Sequence, residues 1–175
     1  MKIVVAVTGA SGVIVGKRLI EELKKENEVK VIVSETGKKT AECEGVEIVG
    51  DYSERDIDAD IASSSNKVDA LVVCPCSMKT LAAIANGYAD NLIARLADVQ
   101  LKMGRKVIVC PRETPYNLIH VENMRKIILA GGKVCPLNVA YYFRPESVED
   151  VTDFFVGKIM ELLGLEHKLY KRWGK

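Results

Sequence analysis

The chain opens on a run of β-branched residues, Lys2 to Val7, that breaks at Gly9-Ala10-Ser11-Gly12 and passes into a stretch with helical spacing. A continuous apolar run closed by glycine is the pattern of a strand buried on both faces, as in a parallel sheet. From Ser11 to Glu26 the apolar residues Val15, Leu19, Ile20 and Leu23 recur at three and four positions, which predicts a helix with one face inward. On its outer face Glu21 and Lys25 stand four apart as an ion pair, and Lys17, Arg18, Glu22, Lys24 and Glu26 read as a solvated surface. Strand, tight turn and helix form the first half of a parallel crossover.

The alternation then repeats. Strands are expected at Val29–Val33, Asp69–Cys74, Lys106–Cys110 and Lys133–Cys135, and helices at Thr36–Glu44, Lys79–Asn86, Leu92–Met103, Leu118–Ala130 and Ser147–Leu163. Gly131-Gly132 closes one helix, and Ser147 opens another, with Asp150 three residues on as an imperfect capping box. Residues 45–67 are polar and carry no assignment. The class is α/β: a single doubly wound, Rossmann-like domain over residues 1–175, its parallel sheet flanked by helices, with a basic irregular tail at 164–175. In such a sheet, ligands are expected at the carboxyl ends of the strands.

Composition excludes several functions. Lys and Arg total 25 against 24 for Asp and Glu, a net charge of +1 that offers no footprint for nucleic acid or an anionic membrane. No apolar stretch approaches the ~20 residues of a membrane span, and the apolar start is too short for a secretory leader, so the expected location is cytoplasmic. The 5 cysteines are odd in number and lie mostly in apolar runs, so they read as reduced, with Cys74, Cys76 and Cys110 in the core. Cys74-Pro75-Cys76 lacks the spacer of a zinc knuckle, and no metal site is expected. His120 reads as a packing residue on its helix, His167 as solvated, and Met124 and Met160 as core.

Three strand ends carry chemistry. Thr8-Gly9-Ala10-Ser11-Gly12 lets the backbone approach a ligand, and the following helix start offers free N–H groups to an anion. The glycines fall at 9, 12 and 16, so the dinucleotide fingerprint is absent, and no tyrosine has a lysine four residues later. At the end of the third strand, Ser77 and Thr80 fit either helix capping or hydroxyl donation to a phosphate or ribityl group. The fourth strand ends in Pro111-Arg112-Glu113-Thr114-Pro115, where Arg112 suits a phosphate and Glu113 an acid–base role.

These motifs join others in a specific combination: VTGASG at 7–12, CPCSMKTLAAIANG at 74–87, DNLIARLADVQLK at 90–102, VCPRETPYNLIHVENM at 109–124, YYFRP at 141–145, SVEDVTDF at 147–154 and RWG at 172–174. Together they span nearly the whole chain, which resembles the UbiX-type flavin prenyltransferases within the homo-oligomeric flavin-containing cysteine decarboxylases. The resemblance implies a metal-independent enzyme that moves a dimethylallyl group from dimethylallyl phosphate to N5 and C6 of reduced FMN. The prenylated FMN would serve a UbiD-type decarboxylase. It further implies FMN binding by Gly9, Ala10, Ser11, Ser34, Ser77, Met78, Lys79, Thr80 and Arg112. The prenyl phosphate would meet Arg95, Lys102, Tyr142 and Lys158. Glu113, Lys102, Ser11 and Glu44 would be catalytic, and the protein a homo-oligomer, by resemblance a dodecamer, with sites shared between subunits.

The chain departs from the family at Ile61 to Asn66, with Ser64 for a glycine and Asn66 for an aromatic, and at Val139-Ala140, where many members carry a proline turn. Two other functions compete. A decarboxylase of the phosphopantothenoylcysteine type needs a histidine in its N-terminal half, and none precedes His120. A non-catalytic FMN carrier would have no use for Arg95, Lys102, Glu113, Tyr142 and Lys158 together.

Overall fold

The computed structural model describes residues 1–174; Lys175, the last residue of the expected tail, lies outside them. Six parallel strands form one sheet in the order β3-β2-β1-β4-β5-β6. Their ranges are β1 (Lys2–Val7), β2 (Glu28–Val33), β3 (Tyr52–Ser53), β4 (Ala70–Cys76), β5 (Lys106–Pro111) and β6 (Lys133–Val134). The helices are α1 (Val13–Leu23), α2 (Glu35–Glu44), α3 (Met78–Ala85), α4 (Leu92–Lys102), α5 (Leu118–Leu129) and α6 (Val148–Leu163). The chain runs outward from β1 to one edge, then crosses to β4 and runs to the other. That reversal is the doubly wound topology expected, and it opens a crevice beyond the carboxyl ends of β1 and β4.

Strand alternation divides the core into two layers. Ile3, Val5 and Val7 face α1 and α6 and meet Leu19, Leu23, Phe155 and Ile159. Val4 and Ala6 face the other way, toward Leu81, Leu92, Leu96 and Ala97 of α3 and α4. In register, Val5 lies beside Val31 and Val72, and Val72 beside Ile108. Leu96 is fully buried, so trimming it to alanine would cost about 2–5 kcal/mol. The three core thiols Cys74, Cys76 and Cys110 have no exposure. Met160 is buried, and Met124 is half-buried against the α3–α4 layer.

Several local expectations change. The first helix is shorter than 11–26, because Gly12 takes φ +103° and turns the chain just before Val13. Residues 45–67 contain the edge strand β3 and a 3-10 turn, Asp60–Ala62. Lys25 pairs with Glu22 at 2.7 Å rather than with Glu21. Arg18 is no free surface charge: it contacts Glu22 and reaches Asp153 of α6 at 2.8 Å, tying two helices together. α1 also sits unusually close to β4, since a Cβ on Gly16 would fall 2.3 Å from the Cys74 carbonyl oxygen. The Ser147 cap proves a complete capping box, with Asp150 accepting from the Ser147 amide at 3.1 Å. No helix among the described residues is long and apolar enough to cross a membrane.

Candidate active site

At the crevice, three strand–helix turns are stitched by hydroxyls. The Thr8 hydroxyl donates to the Pro75 carbonyl at 2.9 Å and accepts from the Ser77 amide at 2.8 Å, joining the turn after β1 to the turn after β4. Ser34 ends β2 and caps α2, accepting from the Gly37 amide at 2.9 Å, with its oxygen 3.2 Å from that of Thr36. Ser77 caps α3 by accepting from the Thr80 amide at 3.3 Å and donates to the Thr80 hydroxyl at 3.1 Å. Gly9 packs directly on this cluster: a Cβ there would lie 2.6 Å from the Thr36 Cβ. The expected set Gly9, Ala10, Ser34, Ser77, Met78, Lys79 and Thr80 is thus drawn to one end of the sheet, and Thr8 and Thr36 join it.

One expectation fails here. The amides at the start of α1 are not free for an anion. Glu44, at the end of α2, accepts from Gly12 N at 2.8 Å and from Val13 N at 2.9 Å. A carboxylate is favoured there because the helix start carries unpaired N–H groups and the positive end of the helix dipole. Ser11 stays exposed on the turn that Glu44 fixes.

Beyond β5, Arg112 is exposed and Glu113 half-buried, its carboxylate accepting from the Thr114 amide at 3.1 Å. Burial and then the Glu113 charge push the nearby Tyr116 phenol up, with Arg112 opposing. The segment after β6 folds back over the first turn: the Leu137 amide donates to the Pro111 carbonyl at 3.1 Å, and its side chain lies 3.1 Å from where a Gly12 Cβ would be.

On the α1–α6 side, Tyr142 and Lys158 flank one ring. Tyr142 meets Phe154 with centroids 6.2 Å apart, and the Lys158 ammonium stands 5.8 Å from the same centroid. The tail completes this wall, with Trp173 edge-on to Tyr142 at 5.1 Å. His167 is not solvated: its side chain is 2% exposed and packs where a Gly157 Cβ would sit, 2.5 Å from its Cε1. His120 is the reverse case. It leaves the core, caps α5 by accepting from the Asn117 amide at 3.4 Å, and meets Tyr116 edge-on.

A family model described as Flavoprotein matches residues 1–160. The flavin prenyltransferase UbiX of Methanocaldococcus jannaschii is 49% identical, covering 99% of both chains. The chain belongs to the UbiX flavin prenyltransferase family. Among solved structures, AnUbiX in complex with FMN and dimethylallyl pyrophosphate superposes on this prenyltransferase with a TM-score of 0.94 at 36% identity, covering 99% of this chain and 97% of that one. A dodecameric FMN-dependent UbiX-like decarboxylase from Escherichia coli gives 0.92 at 38% identity, with both chains fully covered.

Two expected site residues of the prenyltransferase stand apart from the rest. Arg95 and Lys102 lie on α4, which packs against the opposite face of the sheet from α6. Arg95 pairs with Asp98 at 3.7 Å, and Lys102, about 10 Å further along the helix, is exposed at its end. Within one chain they meet neither Tyr142 nor Lys158. Thr36 escapes the sequence reading, and Thr8 enters it only as part of the first glycine turn; the signal for both is a hydroxyl within three residues of a strand's carboxyl end. Among the described residues, no group of three or more His, Cys, Asp or Glu is placed to hold a metal. Burial pushes the Cys76 thiol far up, so it is no nucleophile.

Proposed function

We infer that this chain transfers a dimethylallyl group from dimethylallyl phosphate to N5 and C6 of reduced FMN, acting over residues 1–175 as one flavoprotein domain in the cytoplasm, and that its product serves a UbiD-type decarboxylase. What supports the reading is the gathering of hydroxyl-bearing turns at the carboxyl ends of β1, β2 and β4, in a chain whose relatives along its whole length are flavin prenyltransferases. The donor chemistry of these turns suits a single phosphate and a ribityl chain: Gly9 brings the first turn close against Thr36, where a Cβ would lie 2.6 Å from the Thr36 Cβ, and the hydroxyls of Ser34 and Thr80 stand at the neighbouring helix starts. Ser77, Met78, Lys79 and Arg112 complete the binding set with Gly9, Ala10 and Ser11.

Reduced FMN, when bound, supplies the nucleophilic nitrogen and carbon. The chain supplies the rest. Arg95, Lys102, Tyr142 and Lys158 hold the donor's phosphate and stabilise the charge that grows on it as the carbon–oxygen bond breaks. The leaving group is then a monophosphate met by cations, which needs no metal. Glu113 holds a proton for that phosphate or takes the one released from C6. Glu44, fixed on two amides, keeps the turn that bears Ser11 in place. Because α4 and α6 cover opposite faces, the donor site is completed between copies, and the dodecameric relative supports a homo-oligomer.

Anaerobic incubation with reduced FMN and dimethylallyl phosphate, followed by mass spectrometry of the flavin, should yield a prenylated product. Unmodified FMN with both the monophosphate and the diphosphate would end this reading.

A further inference from the structure

We propose that Glu161 is a positioning residue of the donor site, because its two carboxylate oxygens serve different partners. Oε2 accepts from Lys158 at 3.0 Å. Oε1 accepts from the Tyr170 hydroxyl at 2.7 Å and faces His167 Nε2 at 3.4 Å, with Arg172 at 3.8 Å. His167 Nδ1 accepts from the Leu169 amide at 3.2 Å, so the ring proton sits on Nε2 and points at Glu161. One oxygen therefore holds a proposed phosphate ligand, and the other holds the C-terminal tail. This assignment rests on the reading of Lys158 and Tyr142 as donor ligands.

The arrangement has a purpose that a simple ion pair lacks. When Lys158 turns to a phosphate, Glu161 keeps two donors and the Arg172 charge at its other oxygen and is not left as an unpaired charge, the state that makes breaking an ion pair costly. The tail stays docked while the ammonium moves. Gly157 makes this geometry available: with no Cβ, it admits both His167 and Tyr170 against α6, where a methyl group would lie 2.5 Å from each. The docked tail then sets Trp173 against Tyr142. Glu161 thus couples the position of the tail to the orientation of Lys158.

The chain has 1 tryptophan, so its emission reports tail docking without labelling. Three variants of the FMN-loaded oligomer test the proposal, each checked for parent-like FMN content and size. Glu161→Ala removes both oxygens: Trp173 emission should shift to the red and the KM for dimethylallyl phosphate should rise about tenfold, the loss of one bond to a charged group. Glu161→Gln keeps one acceptor oxygen for the tail: emission should stay at the parent's position while KM still rises. If Glu161→Ala does not assemble, the glutamine variant carries the test alone, and a parent-like KM in it overturns the proposal. A Glu161→Ala protein with unshifted emission, or with shifted emission and an unchanged KM, overturns it too. Lys158→Ala separates the two readings: a raised KM there with an unaffected Glu161→Ala removes only Glu161's role, whereas an unchanged KM in Lys158→Ala removes the donor assignment itself.

Discussion

Replacing Glu44 with glutamine preserves the side chain's shape and withdraws one acceptor. The carboxylate spans two amides, Oε1 to Gly12 N at 2.8 Å and Oε2 to Val13 N at 2.9 Å. A glutamine offers one oxygen to this pair and turns its own N–H₂ toward the other amide, donor against donor. Losing one hydrogen bond to a charged group costs about 1.5–3 kcal/mol, and removing a negative charge from a helix start costs a further ~0.3–1 kcal/mol. Since Glu44 is only half-buried, about 2–3 kcal/mol is the figure to expect, and a chain of this length loses about 2–4 °C per kcal/mol, or about 4–12 °C in all. Calorimetry at matched protein concentration and matched FMN loading measures it, because assembly and ligand both shift the melting point. Glu44→Ala extends the test. It bares both amides at the positive end of α1, so sulfate should raise its melting temperature more than the parent's, with chloride at equal ionic strength as control. A glutamine variant melting within about 1 °C of the parent would refute the assigned role, as would an alanine variant no more responsive to sulfate than the parent.

Shared sites predict complementation: Lys102→Ala and Lys158→Ala oligomers should each lose about 10²–10³ in transfer rate, and co-assembled mixtures should regain product by mass spectrometry, whereas no recovery would show that one copy suffices. Turnover should survive EDTA, since the proposed phosphate ligands are cations and a phenol; a loss reversed by Mg²⁺ contradicts that. Burial, and then the hydrogen bond to Asp60, push the Tyr52 phenol up to about 12. An absorbance titration should show one tyrosine holding its proton to about that pH and losing this behaviour in Tyr52→Phe. The raised value favours the fold below the ordinary tyrosine range near 10, a contribution lost as pH climbs through the folded value. At Glu161, burial acts upward, but the hydrogen bonds from Tyr170 and Lys158 hold the carboxyl below its usual value. Tail docking should therefore be intact above the ordinary glutamate range near 4.3 and fail as pH falls through the depressed one, read as a red shift of Trp173 that a flat emission profile would disprove.

Strands were legible wherever a buried run of β-branched residues met a turn, which is why β1, β2, β4, β5 and β6 fall within two residues of the positions expected from sequence. β3 was not legible because two residues carry no period, and its pairing of Ile32 with Tyr52 is a property of the neighbouring strand. Ser34 and Ser77 could be read as site residues since each ends a strand and starts a helix. Their partner Thr36 could not, because its role comes from the close approach of Gly9, 27 positions earlier in the chain. His167 looked solvated because a basic tail has no visible seat; the seat is Gly157, and only packing reveals it. Arg18 misled for the same reason, its partner Asp153 lying 135 residues away. The separation of Lys102 from Lys158 is likewise a matter of which sheet face a helix covers, and residue spacing does not encode that.

Both margins of the sheet are two residues long, Tyr52–Ser53 at one side and Lys133–Val134 at the other. A margin with so few open rungs gives an incoming strand almost nothing to pair with, so copies of this chain have no template for end-to-end growth. What they can offer one another is side-chain surface, and α5 exposes Leu118, Ile119, Ile128 and Leu129 in place of the polar face a free helix would show. Whether contacts made by such surfaces end in a ring or run on is set by the rotation between copies and not by the sheet. The short margins thus close off strand addition as a way for copies to meet and leave that part to the apolar face of α5.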